Sequence, residues 1–243
     1  MLISKKEGRK QEFHEGLSRV EVLAGTNEDM KIYRCTLKAH CDWTPEVYAY
    51  GDTTQFFAFF TASGYVLTDE TAYNITDYAA FVPNYDAEHF TIHAGAQDLE
   101  FWHFVGRMNE WDMKRMDYIH FELPRFRLFK DGWLYTEGFT GGIGSTCKSH
   151  HVLEHRFLGR YSMGWNIGDG PSVIGSHVHP DLEQWYFILP GGCMTYTAGD
   201  ESVHVESDDV TYTTMGTDHG SSIAEGEKIN YFWVELATDG YKA

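Results

Sequence analysis

Residues 175 to 192, GSHVHPDLEQWYFILPGG, hold two histidines one residue apart, then a carboxylate, an apolar run and a glycine pair. In an extended chain residues i and i+2 project to the same face, so His177 and His179 present two imidazoles together. The Pro-Asp pair that follows reads as a turn into a second strand, with Glu183 at its start expected to face the same point. Farther along, His219 stands three residues after Gly216. Three neutral imidazoles and one carboxylate are mixed nitrogen and oxygen donors, suited to a single divalent first-row transition metal: Mn, Fe, Zn or Ni. Four protein ligands leave positions open on a six-coordinate ion, which marks a catalytic rather than a structural site.

The elements that must position these residues are strands. Short aromatic and β-branched runs alternate with turn residues in both halves, MKIYRCTL, TQFFAFF and LEFWHFVG in the first, QWYFIL, CMTYTAGDESVHVES and INYFWVEL in the second, and the reading is all-β. Alternation along residues 183 to 189 puts Glu183, Trp185, Phe187 and Leu189 on one face and Gln184, Tyr186 and Ile188 on the other. With Glu183 turned to a metal, Trp185 and Phe187 are expected to line the substrate pocket. Tyr186 and Ile188 would then form an apolar outer face that a sister domain or a second copy must cover, so a homo-oligomer, a dimer, is expected. Tyr161, Tyr212 and Glu235 are candidates for proton transfer, beside His155, Arg160 and His204, with core packing or ordinary surface roles the competing reading for each.

The chain repeats itself. QFFAFFTASG (55 to 64) overlays EQWYFILPGG (183 to 192), and HFTIHAGAQDLEFWHFVG (89 to 106) overlays HGSSIAEGEKINYFWVEL (219 to 236). Two β units follow, residues 1–118 and 119–243, with a joining segment near 107–150 that contains FTGGIGST. The first overlay sets Gln55 under Glu183 and leaves Ala49 and Gly51 where His177 and His179 stand, so the first unit is expected to carry no metal. His89 and His93 read there as strand or loop histidines with ordinary partners, and SHHVLEH (149 to 155) as a feature of a loop or rim.

Composition narrows the partners. Thirty-six acidic against 19 basic residues give a formal net charge of −17, which repels a phosphate backbone and an anionic membrane surface. No run approaches the ~20 apolar residues of a membrane-spanning helix, and the opening MLISKKEGRKQEF lacks the apolar centre of a secretory signal; a cytoplasmic protein with a small-molecule substrate is expected. The four cysteines are scattered and form no C-x-x-C pair.

His177-x-His179-x3-Glu183 followed by Gly216-x-x-His219 resembles the two motifs of the cupin superfamily, G-x5-H-x-H-x3or4-E-x6-G and G-x5-P-x-G-x2-H-x3-N. The resemblance implies two tandem barrels of jelly-roll type, a bicupin whose N-terminal copy is degenerate and whose C-terminal copy binds metal through His177, His179, Glu183 and His219. The closing glycine of the first motif comes one residue late, at Gly191. In the second motif Asp208, Thr214 and Ile223 stand where glycine, proline and asparagine are expected. Cupins include dioxygenases, isomerases, decarboxylases, lyases, hydrolases and non-enzymatic binders, so fold leaves the reaction open. The expectation is a metal-dependent enzyme of small-molecule metabolism, redox-neutral (isomerase, hydrolase or lyase), acting on a small chelating carboxylate or hydroxy-carbonyl compound. The alternatives are a non-haem Fe(II) dioxygenase and a metal-containing ligand-binding protein without turnover.

Overall fold

Aromatic and β-branched runs between glycine- and aspartate-rich turns become antiparallel strands, as their composition demands. The computed structural model describes residues 1–87, 89–140 and 145–242; residues 141–144 of FTGGIGST lie outside them. Two units form, one from Arg9–Lys130 and one from Met1–Gly8 with Asp131–Ala243. The boundary therefore falls after Lys130 rather than after residue 118. The reason lies in pairing: strand Arg125–Leu128 joins Ala79–Val82 in the first unit, while the opening strand Leu2–Ser4 pairs with Val210–Thr213 in the second. The expected linker also contains an α-helix, Glu110–Ile119, whose start is fixed by a capping box in which the Asn109 side chain accepts from the helix backbone and Asp112 reaches back to Asn109 N–H.

Each unit consists of a larger and a smaller antiparallel sheet, and the strand orders correspond. In the first unit the larger sheet runs Arg125–Leu128, Ala79–Val82, Thr53–Phe59, Leu99–Arg107, Met30–Leu37, Leu17–Val22; in the second it runs Leu2–Ser4, Val210–Thr213, Leu182–Ile188, Lys228–Ala237, Tyr161–Asp169, Lys148–Leu158, Trp133–Tyr135. The smaller sheet of the second unit orders Ser172–His177, His219–Ile223, Cys193–Ala198 and Glu201–Glu206. Register makes the repeat exact to the residue: Gln55 pairs with Val105 and Gln184 with Glu235. Gln55 thus corresponds to Gln184 and not to Glu183, a shift of one from the sequence overlay, whereas the overlay of residues 89–106 on 219–236 keeps its alignment.

That single-residue shift reverses the faces of Leu182–Ile188, because the side-chain period of a strand is two. Tyr186 and Ile188 lie inside, in the core that also contains Tyr196, Tyr231 and Trp233, and are not an outer face. Trp185 and Phe187 point the other way; both are fully buried, with Trp185 stacked on Tyr212 at 4.9 Å and Phe187 on Phe232 at 4.5 Å. Each such aromatic contributes roughly 1.5–3 kcal/mol by leaving water, so the strand is pinned from both sides.

Candidate metal centre

One strand end, two strand starts and the connection between them converge at one end of the second unit. His177 closes Ser172–His177 and pairs in register with His219, the first residue of His219–Ile223; His179 lies on the connection, and Gln184 on Leu182–Ile188 enters from the larger sheet. One donor atom from each of His177, His179 and His219 can be chosen so that all lie within 4.8 Å of one another. The ring centroids of His177 and His219 are 4.3 Å apart, and those of His177 and His179 4.9 Å.

In two of the three rings a backbone carbonyl places a proton on Nδ1. His177 Nδ1 donates to Gly175 O at 2.8 Å and His219 Nδ1 to Thr217 O at 3.0 Å. Both Nε2 atoms are then lone-pair donors. Nε2 of His177 and of His179 is buried without a hydrogen-bond partner, an expensive arrangement unless something positive is to be met there. Burial lowers His177 to about 4, with the neighbouring imidazoles adding to it and the Gly175 carbonyl opposing it, and burial also lowers His219. Both shifts favour the neutral ring, the form a metal ion requires.

Gln184 carries the fourth donor. Its Oε1 lies 2.8 Å from His219 Nε2, and its Nε2 donates to Glu235 Oε1 at 2.7 Å. With the His219 proton on Nδ1, an amide oxygen and an imidazole lone pair face each other with no hydrogen between them. A cation toward which both turn their lone pairs resolves this contact. The donor set therefore fits a divalent ion held by three imidazoles and an amide oxygen, and Glu235 fixes the direction of that oxygen from behind.

Glu183, expected to be the fourth ligand, is not at this point. It lies on the opposite face, where its Oε2 accepts a hydrogen bond from Tyr212 at 2.8 Å. Tyr212 is thereby occupied with Glu183, its hydroxyl held above the usual range by burial and by that carboxylate, and is not a proton carrier of the cavity. Tyr161 shares that outer side, opposite Leu236 in register and 1% exposed. Of the proton-transfer candidates the structure brings Glu235 alone, with His155, to the cavity. Trp185 and Phe187 give way as lining residues to Tyr186 and Trp233.

The cavity beside the imidazoles measures about 120 Å³. Glu235, on Lys228–Ala237, is 4% exposed and accepts from His155 Nε2 at 3.0 Å as well as from Gln184. Burial pushes its carboxyl up, but His155, His179 and Gln184 outweigh burial and hold it below the ordinary value. His155 lies on strand Lys148–Leu158 and keeps 37% of its side chain exposed, so SHHVLEH is a strand whose last histidine forms the rim. His204 is out on the hairpin strand Glu201–Glu206, and Arg160 donates to Thr238 O.

The joining segment, where the sequence reading placed no site residue, closes the other side. Phe139 stacks on His177 with centroids 3.6 Å apart, and its carbonyl accepts from Gly175 N at 2.8 Å. The same turn brings Glu137 to the cavity wall, where burial, the Glu235 carboxylate and, in opposition, His155 leave its carboxyl at about 7.

The corresponding place in the first unit is filled. Gln55 Nε2 donates to Glu46 O at 2.7 Å, and its Oε1 lies 3.1 Å from His103 Nε2; His103 stacks on Phe57 at 4.5 Å and meets Trp43 edge-on. His93 pairs with Asp42 at 2.6 Å and stacks on Tyr65. Among the described residues, His177, His179 and His219 are the one group of three such donors close enough for an ion.

No protein-family model and no curated protein matches the sequence. Solved structures do match the fold. A glyoxylate-induced protein from Pseudomonas aeruginosa is 11% identical, with a TM-score of 0.74 over 99% of this chain and 90% of its own. Protein Ylba from E. coli is 9% identical at 0.72, over 99% and 92%. An oxalate decarboxylase from Lactobacillus farciminis, in a formate complex, is 12% identical at 0.70, over 98% and 86%. These are cupin-fold proteins, and the chain has their fold. No helix is long and apolar enough to cross a membrane.

Proposed function

We propose that the second unit holds one divalent transition metal ion on His177, His179, His219 and the Gln184 amide oxygen. On this reading the chain is a metal-dependent enzyme that acts on a small chelating compound by redox-neutral chemistry: isomerisation, hydrolysis or lyase action. The observation that carries the reading is the pair of buried Nε2 atoms on His177 and His179 that have no hydrogen-bond partner, beside a His219 whose Nδ1 is engaged by Thr217 O while its Nε2 stands 2.8 Å from the Gln184 amide oxygen. The fold likeness to an oxalate decarboxylase supports an enzyme over a passive binder.

When bound, the ion supplies Lewis acidity at a substrate oxygen. The remaining work belongs to the protein. Glu235 orients Gln184 through the 2.7 Å hydrogen bond. Together with His155 it forms a carboxylate–imidazole pair that reaches from the cavity to the rim, a route by which a proton enters or leaves. Tyr186, Trp233 and Phe139 wall the space, and apolar rings on its sides strengthen the charge interactions inside. The test is a screen of small hydroxy, keto and amino acids with the purified protein under air and under argon. Turnover indifferent to oxygen and reduced at least about tenfold by His155→Gln is the expected result. Strict oxygen dependence would replace this reading with an Fe(II) dioxygenase.

A further inference from the structure

The ion proposed above would sit on four neutral donors, so the charge of its surroundings is set by the other groups of the cavity. These are Glu235 and Glu137, both carboxylates, and His155, whose Nε2 is held by Glu235 at 3.0 Å; among the described residues no lysine or arginine lines the space. Glu235, together with a Glu137 carboxyl poised at about 7, leaves little positive charge around a divalent ion. A dicarboxylate would bring two negative charges beside these carboxyls at low dielectric; a ligand of zero net charge would bring none, and its cationic end would draw Glu137 into the ionised form.

Two further features say what kind of neutral ligand fits. Asn166 is 4% exposed and lines the cavity. Its Nδ2 donates to the Tyr231 hydroxyl at 2.7 Å, while its Oδ1 is buried with no partner. That is an acceptor in want of a donor. The Glu137 carboxylate lines the same space, and its turn is held through Glu137 N–H on Thr140 Oγ1 at 3.2 Å rather than through its side chain. Around these acceptors stand the rings of Tyr135, Phe139, Tyr186 and Trp233, an aromatic wall that offers a ligand no anion-binding donor of its own beyond the Tyr hydroxyls and the Trp233 indole N–H.

Resting on the metal reading, we infer that the cavity takes a small zwitterion: a carboxylate or similar oxygen donor at one end for the cation site, and a protonated amine at the other for Glu137 and Asn166. Glu137 is then the residue that sets specificity, because it supplies the counter-charge to the ammonium group. Compounds of the α-amino acid class meet this description, hydroxy acids of the same size lack the positive end, and dicarboxylates invert it.

L-alanine, L-lactate and malonate are close in size and share one carboxylate, and they differ in carrying an ammonium, a hydroxyl or a second carboxylate beside it. Their binding is measured by calorimetry on the full chain as purified, with metal content determined on the same sample. The expected order is alanine tighter than lactate by about tenfold, with malonate weakest. Glu137→Gln should remove most of the alanine preference while leaving lactate unchanged, and Glu137→Asp should keep the order; melting curves establish that both variants are folded. Metal-loaded protein that prefers malonate or lactate, or binds none of the three, overturns the inference alone. So does an alanine preference undiminished in folded Glu137→Gln. A chain that retains no metal overturns the reading on which the inference rests, and the inference with it.

Discussion

Gln184 and Glu183 are neighbours with opposite fates, and the difference tests the site at single-residue resolution. Gln184 is 5% exposed, sets its Oε1 2.8 Å from His219 Nε2 and donates to Glu235, whereas Glu183 is engaged with Tyr212 on the far face. Gln184→Ala should therefore weaken metal binding by about 10–100-fold, while Glu183→Gln leaves it unchanged; competition titrations with a chelating indicator read both, and the reverse pattern would return Glu183 to the ligand set. A second residue-scale expectation belongs to the first unit. Burial, with Arg19 adding to it, holds His103 well below its ordinary value. The unfolded chain takes up a proton there near pH 6.5 and the folded chain does not, so this histidine's effect is to lose stability as pH falls below about 6.5 and to leave it flat above. His103→Gln should shrink the drop in melting temperature between pH 7 and pH 5 relative to the parent; an unchanged drop would show that His103 does not contribute.

At the scale of elements, strands and their repetition were legible because aromatic runs between turn residues leave few alternatives. The face of Leu182–Ile188 was not. Trp185 and Phe187 are as apolar as Tyr186 and Ile188, so a strand buried on both sides has no polar alternation to reveal its register, and one residue of slip exchanges ligand and non-ligand. His177 and His179 were legible from their spacing, and His219 from the resemblance of its Gly-x-x-His setting to the second cupin motif. Helix Glu110–Ile119 escaped for the opposite reason, since only Asp112 and Met116 on it are buried and no apolar stripe marks it; the capping pair Asn109 and Asp112 was the available signal. Glu137 and Asn166 carry no pattern, as nothing but the folded chain brings them to one cavity. Gly164 shows how tightly neighbouring strands define that cavity, for a Cβ there would lie 2.1 Å from Trp233 Cζ2. Gly164→Ala should displace Trp233, cost about 1–3 kcal/mol of stability and change the near-ultraviolet circular dichroism; a variant as stable as the parent would mean the ring moves freely.

For the whole molecule, the two units have separate hydrophobic cores, one around Phe57, Phe81 and Phe101 and one around Tyr186, Tyr196 and Trp233. Neither core is built on the imidazole cluster, so metal removal should leave a folded chain. Chelator-treated protein is expected to melt cooperatively and only somewhat lower than the loaded form, by the mass-action contribution of a bound ligand. Unfolding on chelation would make the ion structural.

The proposed metal centre requires one ion in the second unit and none in the first. Elemental analysis of the purified chain, alongside the double variant His177→Ala with His219→Ala, distinguishes the two units. One equivalent of a divalent transition metal per chain, lost in the folded double variant, is expected. Two equivalents per chain, or full retention of metal without His177 and His219, would contradict it.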